Sequence, residues 1–135
     1  MIRLYTDAAV GGNPGPAGVG LLIVTENKQK QITIPLDGQW NNHHAEFKAV
    51  SLGLSWLIEN NYNQEMTFCY TDSKIVAQSI EKEYVKDSNV KQYLLEILEL
   101  MKKFPIITVE WMPESKNKGA DNLARQALQK KLRNS

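Results

Sequence analysis

The periodicity of apolar residues changes once, near residue 40, and that change limits the folds open to this chain. Residues 2–8 alternate as a strand does. Gly11-Gly12-Asn13-Pro14-Gly15-Pro16 is a dense turn signal, and residues 18–25 are again rich in β-formers. Asn27 and Lys28 read as a tight hairpin turn with a return strand over residues 29–36. The opening third is therefore expected to be an antiparallel meander. From residue 43 helical spacing takes over: Ala45, Ala49, Leu52 and Trp56 share one face up to residue 59, where Asn60-Asn61 stops it. Residues 65–71 form a short apolar strand, and a helix runs from Ser73 to about Lys82. Val90, Tyr93, Leu94, Ile97, Leu98 and Met101 make an amphipathic stripe that Phe104-Pro105 breaks. A strand over residues 106–112 and a helix marked by Leu123, Ala124, Ala127 and Leu128 complete the chain.

This βββ-α-β-α-α-β-α order predicts an α/β fold: one mixed sheet flanked by helices, with right-handed crossovers joining parallel strands. At 135 residues the chain fits one domain, residues 1–135, with the usual share of hydrophobic (42%) and charged (23%) residues. The lone cysteine, Cys69, lies in an apolar run and reads as a small buried hydrophobe. The N-terminus has no signal-peptide shape, and no apolar run nears the roughly 20 residues that span a bilayer. A cytoplasmic monomer without a membrane partner is the expectation. A net charge of +1 gives little electrostatic footprint for nucleic acid, so any such binding is expected to be modest and salt-sensitive.

Carboxylates sit at telling places. Asp7 lies within a strand, where Asp is disfavoured. Asp72 ends the fourth strand just before a helix, and sites in open α/β sheets form at the carboxyl ends of parallel strands. Glu46 lies on the helix face of Val50, Gly53 and Leu57, which should pack on the sheet. Two carboxylates about 4 Å apart repel by roughly 4 kcal/mol at an effective dielectric near 20. Gathering them calls for protons or a cation, and no Lys or Arg stands out in the sequence for that place. A hard divalent cation with oxygen ligands answers the need. Each acid also has a plainer reading: Asp72 as a helix N-cap, and Glu46 and Asp121 as first-turn partners of a helix dipole. His43 and His44 read as first-turn or solvent-facing residues, and Trp40 as either site-flanking or part of a surface cluster.

Four ordered motifs carry a resemblance. Thr6-Asp7-Ala8-Ala9 with Gly12-Asn13-Pro14-Gly15-Pro16-Ala17-Gly18, then Asn42-x-x-Ala45-Glu46, then Thr71-Asp72-Ser73, then Trp111 and Asn117-x-x-Ala120-Asp121-x-Leu123-Ala124 resemble the ribonuclease H type 1 family from Thr6 to about Ala127. The closing motif looks more like its short reverse-transcriptase-like branch. The resemblance implies a five-stranded mixed sheet of order 3-2-1-4-5. It implies Asp7, Glu46, Asp72 and Asp121 as catalytic metal ligands for Mg²⁺ or Mn²⁺, two ions with substrate bound. One ion would ionise a water and the other would stabilise the leaving 3′ oxygen. The implied activity is hydrolysis of the RNA strand of RNA–DNA hybrids, leaving 5′-phosphate and 3′-hydroxyl ends. Gly12, Asn13, Gly15, Asn42, His43 and Ser73 would meet the substrate, where 2′-hydroxyls mark RNA.

Three departures from the family pattern bear on activity. His43 stands where well-studied members place a second Asn. Glu81–Lys86 is short and mixed in charge where many members carry a basic, Trp-containing protrusion. Met112–Gly119 is short and lacks the histidine that many members place before the last acid, although Glu114 or Lys116 stands there. A weakly active or inactive nucleic-acid-binding module is the alternative these departures raise.

Overall fold

A computed structural model describes residues 1–134. The chain runs β1 (Ile2–Val10), β2 (Ala17–Val24), β3 (Gln29–Pro35), α1 (Asn42–Glu59), β4 (Thr67–Thr71), α2 (Lys74–Lys82), α3 (Ser88–Met101), β5 (Ile107–Trp111) and α4 (Lys118–Arg133), with a single 3₁₀ turn at Glu114–Lys116 before α4. The strands form one sheet in the order β3-β2-β1-β4-β5. β1, β2 and β3 pair antiparallel, and β4 and β5 join parallel to β1 and β4 respectively. The expected element order, strand order and mixed sheet all stand.

Boundaries moved where capping chemistry was hidden. The first helix begins at Asn42, because the Asn41 side chain accepts the His44 N–H at 2.8 Å. The fourth strand begins not at residue 65 but at Thr67, where its ladders with β1 and β5 both start. The first strand continues to Val10, two residues further than its alternation shows, because β2 pairs with it as far as Ala17. Asn60 caps the end of α1, as its position implied.

Strand β2 explains how the two helical layers sit. Its residues point alternately to opposite faces. Leu21 meets Gly53 of α1, whereas Gly18, Gly20 and Leu22 meet α4. Gly18 and Gly20 have no side chain to hold α4 away. A Cβ on Gly20 would run into the Ala120 carbonyl and the Ala124 amide. Helix α4 therefore lies close on the sheet and delivers its first turn to the ends of β1 and β4. The core lies on the α1 face, where Ile2, Leu4, Val19, Leu21, Phe47, Leu54, Leu57, Leu94 and Ile97 are buried. Cys69 is fully buried there, and burial pushes its thiol up to about 12, so it is inert packing. Among the described residues no helix is long and apolar enough to cross a membrane.

Candidate metal centre

The parallel ladder between β1 and β4 runs from Ile2–Thr67 to Tyr5–Tyr70 and then stops. Beyond it β1 stays paired with β2, and β4 ends at Thr71. This opens a crevice at the carboxyl end of the sheet, with Asp7 on one wall and Asp72 on the other. Even-numbered residues of β1 turn their peptide groups toward β4, as the Ile2 N–H does to the Met66 carbonyl at 2.9 Å. Past the ladder's end those groups need other partners. The Ala8 N–H donates to Glu46 Oε1 at 2.9 Å. The Thr6 carbonyl accepts the Asn117 side-chain amide at 2.9 Å. The Thr6 hydroxyl donates to the Tyr70 carbonyl at 3.2 Å.

The bond to Ala8 brings Glu46 inward from the first turn and a half of α1. One oxygen each from Asp7, Glu46 and Asp72 then lies within 4.8 Å of the others. Asp7 is buried. Its burial pushes the carboxyl up to about 7, and the Asp72 charge adds to the effect. Glu46 is pushed well up, first by burial and then by the Asp7 and Asp72 charges. Asp72 moves up through burial, against the Asn117 amide that favours its ionised form, while the Glu114 and Asp121 charges push it further. Among the described residues no Lys or Arg forms an ion pair with any of the three. The set offers only hard oxygens to a shared point, which suits a hard divalent cation.

The fourth acid stands apart from this trio. Asp121 lies in the first turn of α4, and its carboxylate accepts from Arg125 Nε at 3.2 Å. Its charge still reaches Asp7 and Asp72. The sequence singled out no cation for these acids. Arg125 is one, placed a helical turn beyond Asp121, and its pairing is largely exposed and so worth little.

The plain reading of Asp72 as a helix cap does not hold, because Ser73 is the cap. Ser73 Oγ accepts the Val76 N–H at 3.4 Å. That hydroxyl, expected to face substrate, also caps α2 and keeps its own O–H to donate. Asn13, Asn42 and His43 come together around an open depression of about 520 Å³, with Pro14, Gln39, Asn41 and His44. Gly12 is exposed with a φ of 133°, a conformation open to glycine. Gly15 is buried, and two backbone bonds with Trp40 stitch its loop to the entrance of α1. Trp40 and His44 both lean on Tyr93, at ring distances of 6.1 and 5.9 Å, which assigns them to an aromatic cluster. Two residues beside the acids escaped sequence reasoning as site members. Glu114 was named only as a stand-in for a histidine. Asn117 was read only as part of a motif; at the entrance of α4 its side chain makes no capping bond.

Residues 5–127 match the family model described as reverse transcriptase-like. The chain belongs to that family. The putative hydrolase EbsB of Enterococcus faecalis is 48% identical over 130 residues, covering 96% of each chain. A ribonuclease H of Trichodesmium erythraeum is 37% identical over 86 residues, 63% of this chain and 51% of that one, so this chain aligns with only about half of that relative. The crystal structure of LC11-RNase H1 in complex with RNA/DNA hybrid superposes with a TM-score of 0.86 at 26% identity, covering 98% of this chain and 99% of that one. The ribonuclease H-like fold read from the four motifs is thus the fold of this family member.

Proposed function

We propose that this chain is a metal-dependent endonuclease that hydrolyses the RNA strand of RNA–DNA hybrids to 5′-phosphate and 3′-hydroxyl ends. The observation that carries the reading is the meeting of Asp7, Glu46 and Asp72 oxygens within 4.8 Å without a pairing Lys or Arg. Such a cluster is costly unless a cation shares it. Asp7, Glu46, Asp72 and Asp121 are the proposed ligands of Mg²⁺ or Mn²⁺, two ions when substrate is present. When bound by these carboxylates, such ions would supply positive charge for the phosphate and lower the pKa of the attacking water. The protein's own part is to hold the carboxylates ready and to orient the hybrid. Asn13, Asn42 and His43 line the depression proposed to take the RNA strand. Exposed Gly12 would let the RNA backbone come close to that loop, buried Gly15 shapes the loop from within, and Ser73 borders the site beside Asp72. The likeness to a ribonuclease H1 solved with RNA/DNA hybrid over almost the whole chain supports this substrate. Its single buried cysteine suits a reducing compartment, and we place the protein in the cytoplasm as a monomer.

A binding module with little turnover is the second reading. The link between α2 and α3 is only residues 83–87, and the segment before α4 holds one short 3₁₀ turn and no histidine. Incubation with an end-labelled RNA–DNA hybrid in Mg²⁺ and in Mn²⁺, beside Asp7→Asn, separates the two. Cleavage by the native protein alone supports the enzyme. Filter binding without cleavage supports the module, and cleavage by the variant rejects the role given to Asp7.

A further inference from the structure

We infer that Asn117 is a positioning residue that sets the gap between the Asp7 and Asp72 walls of the metal centre. The inference rests on the proposed metal-dependent reading of that site. Three of the bonds it makes join separate elements of the site. Its side-chain amide donates to the Thr6 carbonyl at 2.9 Å, next to Asp7, and to Asp72 Oδ2 at 3.4 Å. Its backbone carbonyl accepts the Asp121 N–H at 3.0 Å. It thus joins the end of β1, the end of β4 and the first turn of α4 at the point where the β1–β4 ladder has stopped. No strand pairing fixes the width of the crevice there, so the amide takes that task.

The residue is poorly explained by stability alone. Asn117 is 1% exposed, yet its Oδ1 is the one buried side-chain oxygen or nitrogen among the described residues without a hydrogen-bond partner. An unpaired buried acceptor is costly; an apolar side chain of the same shape avoids that cost but leaves the Thr6 carbonyl without its donor. What the apolar side chain lacks is the N–H pair that reaches both walls. A carboxylate that is itself hydrogen-bonded presents its lone pairs in one orientation, which is how outer partners tune a metal site.

The test follows the melting temperature of the native chain, Asn117→Leu and Asn117→Ser during titration with Mn²⁺, then measures hybrid cleavage at saturating metal. The inference predicts that both variants fold without metal. It predicts that the Mn²⁺ concentration giving half of the thermal shift rises about 10–100-fold. It also predicts that kcat falls while KM for the hybrid stays near native. A half-shift concentration equal to that of the native chain in either folded variant overturns the inference. Loss of the metal-free fold in both variants overturns it too, because Asn117 would then be holding the fold and not the gap. A native chain that gives no Mn²⁺ shift counts against the metal centre itself, which keeps the two failures distinct.

Discussion

Replacing Asp7 with Asn removes one buried negative charge and keeps the side-chain shape. The Asp7 carboxyl is pushed up from 3.8 to about 7, chiefly by burial and then by the Asp72 charge. A folded-state pKa above the unfolded value means that the folded chain holds the proton more tightly. The associated stability is fully present below about pH 3.8 and is lost as pH rises through about pH 7. The whole shift, about 3 pH units, corresponds to about 4 kcal/mol. About 2–3 kcal/mol of it disappears between about pH 5 and about pH 8. For a chain of this length that amounts to a melting-temperature fall on the order of 10 °C. Asn does not titrate, so Asp7→Asn should lack the Asp7 share of this fall while Glu46 and Asp72 still contribute theirs. The assay is thermal unfolding of both proteins in chelator at the two pH values. The prediction concerns the difference between their pH slopes, so any constant effect of the substitution cancels. Parallel slopes would refute the claim that burial and a neighbouring charge hold a proton on Asp7.

Metal and proton compete for the same oxygens, so the thermal shift from Mg²⁺ or Mn²⁺ should be larger at about pH 8 than at about pH 5.5, read by differential scanning fluorimetry. An equal shift at both would argue for binding elsewhere. Gly20→Ala forces a methyl group into the backbone of α4 and should cost about 3 kcal/mol by denaturant titration; a loss under about 0.5 kcal/mol would show that α4 is free to move away. Ser73→Ala deletes the α2 cap and should cost about 1 kcal/mol in the same measurement. Cys69 should stay unmodified by an aromatic disulfide reagent until the chain is unfolded, and fast labelling of the native state would contradict its full burial.

The sequence made the elements legible because their periods differ so sharply. Leu4 and Ile2 alternate with Arg3 in β1, whereas Ala45, Ala49 and Leu52 recur at helical intervals in α1. Asp7 was legible as a site residue because nothing in a strand excuses a carboxylate. Glu46 and Asp72 were legible by their direction, inward from a helix and at a strand's end. What stayed hidden depends on long-range register. The β1–β4 ladder stops at Tyr5 opposite Tyr70, a register between strands 65 residues apart that no local pattern shows. Asn117 therefore stood only as a motif residue, since its side-chain partners lie 111 and 45 residues away. Arg125 was equally hidden, although its i,i+4 spacing to Asp121 is a helix-pair signal.

The early end of the β1–β4 ladder also bears on how the molecule comes together. Its three gathered oxygens arrive from residues 7, 46 and 72, and no pair of them belongs to one hairpin or one helix. Docking segments so far apart in sequence is slow compared with forming any single helix. Ion affinity should consequently appear late during refolding, after helical signal has returned, making a bound cation a clock for the last docking event rather than a template for the first.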